Sequence, residues 1–281
     1  MISTKMLSSV TFLYLLCTVL YFNYLAFRSE RLGKIAGGLS WITLLLHTAA
    51  ILLRWVESYQ LGIGHAPLSN MYESLVFFSW CIAVLYLLWE WKLNSRILGA
   101  FAMPFAFLFI AYASLAPGIS DRIDPLIPAL QSNWLHAHVT TCFLSYASFA
   151  LSCGISILYL LKLRQKEKGQ KEASLPALFP PLDSLDALIY KTIAVGFPLL
   201  TIGIVTGAAW ANYAWGSYWS WDPKETWSLI TWFVYAIFLH ARFAREWRGK
   251  RTAALSIIGF AAVIFTYFGV NYVLSGLHSY A

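Results

Sequence analysis

The sequence predicts an all-α protein, a polytopic bundle of about eight transmembrane helices with both termini on the non-cytoplasmic side. Three observations lead to this fold class. Hydrophobic residues make up 59% of the 281 residues and charged residues 12%, whereas soluble domains carry roughly 25% charge. The mean hydropathy is +0.63. The apolar runs are continuous, as in membrane helices, and do not alternate as in transmembrane barrels.

Each predicted span approaches the length of about 20 apolar residues that crosses a bilayer. The first span follows a single Lys5 and has no small-residue cleavage site, so we interpret it as a helix and not as a removed signal peptide. In chain order, the predicted spans are 8–27, 35–53, 72–91, 97–116, 134–161, 187–209, 227–243 and 252–273.

The positive charges predict the orientation of these spans. Of the 20 Lys and Arg residues, all but four lie in or beside connections on one side of the predicted bundle, within 28–34, 92–96, 162–191 and 242–251. The other side has Lys5, Arg54, Arg122 and Lys224. Because Lys and Arg are enriched in cytoplasmic connections, both termini are placed outside the cytoplasm. The net charge of +7 follows from this bias and does not indicate a nucleic-acid partner.

We interpret the whole chain, 1–281, as one transmembrane domain. A Lys/Glu-rich run followed by three prolines is typical of a solvated cytoplasmic linker. The predicted parts are five helices within 1–161, the linker at 162–186, and three helices within 187–281 that include an outer loop at 211–226.

The outer loop is the most distinctive segment of the chain. Tryptophan occurs at positions 215, 219, 221, 227 and 232, around an acidic stretch that contains glycine and proline. One or two Trp residues per helix end are ordinary interface anchors, but this density is higher. It predicts a flat aromatic surface that holds a large planar apolar ligand at the membrane surface.

The same loop also contains a helix start. Asp222 is a good N-cap, Pro223 suits the first helical position, and Glu225 completes a capping box. Capping and ligand binding are compatible, since a fixed helix start would hold Trp219 and Trp221 in place.

The six histidines separate by predicted depth. His136 and His138 lie at the outer end of the fifth span, about 200° apart around a helix, so at most one can face a given pocket. His278 lies in the outer tail and His65 in the outer segment 54–71, whereas His47 and His240 lie within spans. Intramembrane ionisable groups indicate function by default, and neutral imidazole is a common ligand of haem iron. Two outer histidines beside an aromatic surface would form a bis-imidazole haem site.

The cysteines predict no covalent haem attachment to this chain. All four lie inside predicted spans, where small buried residues pack between helices. Cys-x-x-Cys-His, the attachment motif of c-type cytochromes, does not occur, and neither do nucleotide-binding or zinc-protease motifs.

The loop resembles a known signature. Trp215-Gly216-x-x-Trp219-x-Trp221-Asp222-x-x-Glu225 is similar to the tryptophan-rich WWD signature of haem-handling proteins in cytochrome c biogenesis. Further segments resemble the CcsA/ResC type, a subunit of the System II cytochrome c synthase: 54–74, 138–146, Leu239-His240-x-Arg242 and 276–280. His136 departs from that family, which has an apolar residue there. His138 holds the position that matches the family's histidine.

The resemblance implies an integral membrane protein of the bacterial inner membrane or the thylakoid membrane. It would transport haem b and present it for attachment to Cys-x-x-Cys-His of apocytochrome c, as the haem-handling subunit of a cytochrome c haem lyase with a ResB/CcsB-type membrane partner. The residues implied to bind haem are His138 and His278 outside, His240 in transit, and Trp215, Trp219, Trp221 and Asp222 at its face. At least one of Arg54, Arg122 and Lys224 is expected near the haem propionates.

Two alternatives stay open at the level of sequence. One is a haem-delivery protein that loads a separate haem chaperone; that type is usually shorter, and segment 54–74 favours the synthase subunit. The other is a quinone- or cation-handling membrane subunit, which would require charged residues in mid-membrane that the spans almost entirely lack. The residues do not decide whether the ligation chemistry resides in this chain or in its partner.

Overall fold

The fold is a set of long helices, as predicted. In a computed structural model, the structure describes residues 1–93, 95–168 and 180–274. The helices in these ranges are α1 (Ile2–Phe27), α2 (Glu30–Gln60), α3 (Met71–Leu93), α4 (Gly99–Leu115), α5 (Asn133–Glu167), α6 (Leu182–Trp215), α7 (Pro223–Ala244), α8 (Lys250–Ile264) and the short α9 (Val270–Val273). A 3-10 turn, Pro128–Leu130, precedes α5, and a π-helical turn, Phe265–Gly269, joins α8 to α9.

Within the described ranges, seven helical segments are long and apolar enough to cross a membrane, the last of them being Lys250–Val273 as one span. The remaining one, α4, is apolar but has 17 residues. At 1.5 Å per residue it is about 25 Å long, slightly less than the roughly 30 Å of a hydrocarbon core. An integral multi-pass membrane protein is therefore confirmed, and the side on which the termini lie stays a prediction.

Several helices are longer than the apolar runs that predicted them. α2 continues to Gln60 and α6 includes Trp215 as its last residue. The extensions contain polar residues, and a span predicted from hydropathy alone stops before them. In α2 these residues are satisfied inside the fold, since the Glu57 carboxylate accepts hydrogen bonds from the backbone N–H groups of Ile2 and Ser3 at 2.8 and 3.1 Å.

The chain divides into two compact units, Met1–Gln131 and Ser132–Ala281. The first contains α1 to α4, in which α1 packs against α2 and α4, and α3 packs against α4 and α2. The described parts of the predicted linker, 162–168 and 180–186, thus belong to the second unit together with α5 to α9. That the whole chain works as one haem-handling domain stays a prediction.

In the second unit, α5 lies along α6 at close range because small residues line their contact. A Cβ atom added to Gly196 would lie 2.7 Å from the Phe149 ring, and one added to Gly203 would lie 2.6 Å from the Cys142 sulfur. The Ser145 hydroxyl donates to the Gly196 carbonyl at 2.7 Å. Small residues allow this approach in membranes, where helix association depends on packing. α8 packs against α5 and α7 and completes the unit.

Candidate functional site

Most of the predicted site residues fall in the second unit, around the ends of α5, α6 and α7. His138 lies near the start of α5, Trp215 ends α6, Trp219 and Trp221 lie in the following connection, and Asp222 precedes α7. His278 lies outside the described residues, as does the rest of segment 275–281. The predicted pairing of His138 with His278 is therefore untested.

The His138 side chain is half-buried and points at α6. Its Nδ1 lies 2.7 Å from the carbonyl oxygen of Gly203. A carbonyl oxygen only accepts hydrogen bonds, so Nδ1 is the nitrogen that donates. In a neutral imidazole this leaves Nε2 as the nitrogen with the lone pair, which is the form that binds a metal ion.

Trp210 was not among the predicted site residues, yet it stacks against His138. The ring centroids are 5.9 Å apart and the rings are inclined by 16°. Trp215 then meets Trp210 edge to face, with centroids 5.1 Å apart. The sequence signal that could have indicated this contact is a spacing of i, i+4 and i+7, which places Gly203, Gly207 and Trp210 on one face of a helix.

The Trp-rich connection turns sharply at two positions with positive φ. Gly216 ends α6 with φ 78°, and Trp221 has φ 58°, which is uncommon for a bulky residue. Trp221 is 68% exposed and meets Trp219 edge to face at 5.7 Å between centroids. Trp221 is thus held outward from the fold in a conformation that its own backbone does not favour.

Glu225 and Asp222 hold that conformation. The Glu225 carboxylate accepts hydrogen bonds from the backbone N–H groups of Ser220 at 2.8 Å and Asp222 at 3.2 Å. The Asp222 carboxylate accepts one from the Lys224 backbone N–H at 2.9 Å. The capping box predicted from sequence is therefore confirmed. The two bonds to Glu225 lie on either side of Trp221. The start of α7 therefore also fixes the connection between α6 and α7, residues 216–222, which we call the Trp loop.

The cations predicted to lie outside the cytoplasm differ in the partners that their charges already have. Arg54 is 1% exposed, pairs with Glu73 at 2.8 Å and donates to the carbonyl oxygens of Asp121 and Arg122 at 3.0 and 3.1 Å. Its charge is already compensated in the first unit, so its role is structural. Lys224 lies in the same unit as His138, and its Nζ donates to the Asn271 side chain at 3.1 Å.

His240 is exposed on α7, one turn before the helix ends at Ala244. The neighbouring Arg242 is held by Asp186 at 2.6 Å, and Asp186 also accepts the Gly249 backbone N–H at 2.8 Å. The Leu239-His240-x-Arg242 segment therefore combines a structural arginine, which joins α7 to Asp186 near the start of α6, with a histidine directed away from the unit.

His47 and His65, in the first unit, each contact a hydrogen-bonding partner within that unit. His47 is completely buried, as expected of a packed polar residue, with Nδ1 3.1 Å from the Tyr14 hydroxyl. Both ring nitrogens of His65 face carbonyl oxygens, those of Ala66 and Asp124, at 2.9 and 3.0 Å. Among the described residues, no cluster of three or more His, Cys, Asp or Glu side chains could hold a metal ion.

Comparisons with known proteins agree on one family. The family model described as Cytochrome C assembly protein matches residues 68–278. The chain is 42% identical to the cytochrome c biogenesis protein CcsA of Guillardia theta over 290 residues, 97% of this chain and 95% of that protein. It is 38% identical to the protein of the same name from Gloeobacter violaceus over 316 residues, 95% of this chain and 92% of the relative.

A solved structure resembles the fold. The cytochrome c heme lyase CcmF superposes with a TM-score of 0.72 over 95% of this chain, at 17% sequence identity. The present chain corresponds to 46% of the length of that protein. At this level of identity, the similarity shows a shared helical fold.

Proposed function

Because the chain belongs to the cytochrome c assembly protein family, we propose that it transports haem b across the membrane and presents it for attachment to apocytochrome c. Membership of the family gives the coarser role, in cytochrome c biogenesis, and decides against a quinone- or cation-handling subunit. Transport and presentation of haem are the finer statement, and the geometry around His138 is the observation that supports them.

His138 has the properties that an axial haem ligand needs. Donation from Nδ1 to the Gly203 carbonyl at 2.7 Å places the lone pair of the neutral ring on Nε2, the tautomer that binds iron through Nε2. Trp210 stacks on the ring, and Trp215 continues the aromatic surface. The resemblance implies His278 as the second ligand, so that the two nitrogens would lie roughly 4 Å apart, with the iron about 2 Å from each, the typical length of a metal–imidazole bond.

The Trp loop and Lys224 complete the proposed haem position. Trp219 and Trp221 offer flat apolar surface to the porphyrin, and Asp222 with Glu225 fixes their backbone. Lys224, which belongs to the same unit, is the outer cation we assign to a haem propionate. The chain thus supplies mainly position and orientation, which thioether formation requires before any acid–base group.

The outer site is tested by the absorption spectrum of the purified protein. We expect wild-type protein to carry low-spin haem with two imidazole ligands, and His138→Ala or His278→Ala to lose that spectrum and cytochrome c maturation while the protein still inserts into the membrane. Exogenous imidazole should restore part of the spectrum. His136→Ala is the matched control, because His136 lies about 200° from His138 around α5. Loss of the spectrum in His136→Ala and its retention in His138→Ala would contradict the assignment.

His240 defines a second, inner haem position. It lies about 25 Å along α7 from the Trp loop at 1.5 Å per residue, too far for one iron atom to bind at both ends. His47, the other intramembrane histidine, is completely buried and paired with Tyr14. We therefore propose that the ResB/CcsB-type partner supplies the second axial imidazole to a haem bound by His240.

Expression of this chain alone and together with its partner tests that assignment. The inner haem should appear only in the co-expressed complex and should disappear in His240→Ala. A bis-imidazole spectrum that depends on His240 in the isolated chain would mean that the second ligand is internal.

A further inference from the structure

Three residues on one face of α6 surround the ring of His138. Gly203 contributes its carbonyl oxygen, Gly207 lies beneath the Nδ1–Cε1 edge, and Trp210 stacks on the ring face. They are spaced by four and three residues, so they form successive turns of the same helical face. The imidazole is therefore in contact with α6 at its edge and at its face.

The Gly203 carbonyl decides which nitrogen of His138 carries the proton. A backbone carbonyl has two lone pairs, so it can accept from the α6 backbone and from a side chain together. The Thr206 hydroxyl, 3.1 Å away, also approaches it. Because the carbonyl oxygen only accepts hydrogen bonds, His138 must present Nδ1–H to it. The lone pair of the neutral ring must then lie on Nε2.

Gly207 provides the space for this arrangement. A Cβ atom added there would lie 2.6 Å from Nδ1 and 2.7 Å from Cε1 of His138, well inside van der Waals contact. The ring cannot retreat freely, because the Cys142 sulfur lies 3.7 Å from Nδ1. Even the smallest side chain at position 207 would therefore require the imidazole or the helix to shift from the observed arrangement.

We propose that Gly203, Gly207 and Trp210 are positioning residues that set the tautomer and the ring orientation of His138 for iron binding. This inference rests on the proposed function only in taking the iron that His138 binds to be haem iron. The tautomer and the ring orientation belong to the haem-free protein and can be measured there. Partners of this kind typically change metal affinity 10- to 100-fold when they are removed.

The first test uses the full-length, haem-free protein in detergent. Nitrogen-15 NMR of histidine-labelled protein distinguishes the Nδ1–H from the Nε2–H tautomer, and His138→Ala identifies the His138 signals. We expect the Nδ1–H tautomer in the wild type and a changed signal in Gly207→Ala. An Nε2–H tautomer in the wild type, or an unchanged signal in Gly207→Ala, would overturn the proposal even if His138→Ala loses haem.

The second test measures haem retention and the midpoint potential of the bound haem. Gly207→Ala should lower retention at least about 10-fold and shift the potential and the spectrum. Gly196→Ala is the matched control, because it introduces a similar clash, 2.7 Å from Phe149, on the same α6 surface but about three turns from Gly207. Equal losses in both variants would reduce the effect to helix packing and refute the proposal.

A further pair of variants keeps the test informative if Gly207→Ala fails to fold. Trp210→Phe retains a ring against His138, whereas Trp210→Leu does not. We expect the Leu variant to alter the His138 NMR signal and the haem spectrum, and the Phe variant to restore both in large part. If haem retention is unchanged in His138→Ala while the tautomer result holds, the proposed haem site is wrong and the positioning of His138 still stands.

Discussion

At the scale of single residues, the Trp loop depends on a backbone conformation that a tryptophan does not prefer. Trp221 has φ 58°, for which a residue with a Cβ atom loses roughly 1–2 kcal/mol relative to the right-handed region. The Glu225 carboxylate compensates by binding the backbone on either side of it. Such strain, held by surrounding bonds, is common where a side chain serves a ligand.

Replacement of Trp221 by glycine separates stability from function. Glycine adopts positive φ without strain, and the lost side chain is 68% exposed, so the free energy of unfolding of Trp221→Gly should remain within about 1 kcal/mol of wild type. Haem retention should nevertheless fall, because an aromatic contact is removed. Both quantities are measured in detergent, by denaturant unfolding and by the haem absorbance of the purified protein.

Trp247 provides the comparison. It lies in the connection between α7 and α8, where its ring contacts Arg251 at 5.3 Å, and Trp247→Gly should leave haem retention unchanged. Equal haem content in the Trp221 and Trp247 variants would refute the role of the Trp loop as a haem surface.

Residue spacing predicted local features of the site but not its distant contacts. The capping box at Asp222 and Glu225 followed from a spacing of three residues, because both partners lie in one turn of chain. The stacking of Trp210 on His138 did not, because it depends on how α5 and α6 lie against each other.

At the scale of helices, one buried ion pair joins the end of α2 to the start of α3 in the first unit. Arg54 of α2 and Glu73 of α3 are both 1% exposed, and Arg54 also holds the segment that follows α4 through two carbonyl oxygens. Segment 54–74 was one of the stretches that resemble the CcsA/ResC type, and Arg54 was one of three cations expected to include a partner of the haem propionates. The structure gives this part of it a structural role, because its charges are consumed within the unit.

Removal of Arg54 should be strongly destabilising. Arg54→Ala leaves the Glu73 carboxylate buried without its counter-charge, which typically costs about 3–5 kcal/mol. Arg54→Met combined with Glu73→Gln should recover much of this loss, since no unpaired charge remains. Denaturant unfolding in mixed micelles measures both.

The control pair is Arg96 with Glu30, whose side chains are 28% and 61% exposed and lie 3.9 Å apart. Glu30→Ala should cost less than about 1 kcal/mol, as expected of a solvated pair. If Arg54→Ala proves no more costly than Glu30→Ala, the Arg54–Glu73 pair does not fasten the unit.

Apolar runs predicted which segments are helices but not where the helices end. Hydropathy does not mark helical residues that are polar. α5 therefore continues past the predicted span to Glu167, because nothing in its sequence stops a helix earlier. The π-helical turn at Phe265–Gly269 was also beyond prediction, since it depends on packing such as that of Phe265 on Trp227, with ring centroids 4.1 Å apart.

At the scale of the whole molecule, the charge bias makes a definite statement about orientation. It places the segment after α4 outside the cytoplasm and the α5–α6 connection inside. The division of the chain after Gln131 could not be predicted in the same way, because no change of composition marks that position.

Cysteine accessibility tests the orientation directly. All four native cysteines are buried, so labelling of the wild type by a membrane-impermeant maleimide should be low. Ser120 and Glu167 are exposed, in the segment after α4 and at the end of α5. Ser120→Cys should react in intact cells, and Glu167→Cys only after the membrane is permeabilised. The reverse pattern would show that the predicted orientation is inverted.

The burial of those four sulfur atoms has a chemical consequence. Thiol–disulfide exchange requires an accessible thiolate, and Cys17, Cys81, Cys142 and Cys153 offer none at the surface. A disulfide on an arriving polypeptide therefore meets no accessible thiolate of these cysteines with which to form a mixed disulfide. Under the proposed function, the two thiols of a reduced apocytochrome would stay available for the haem vinyl groups.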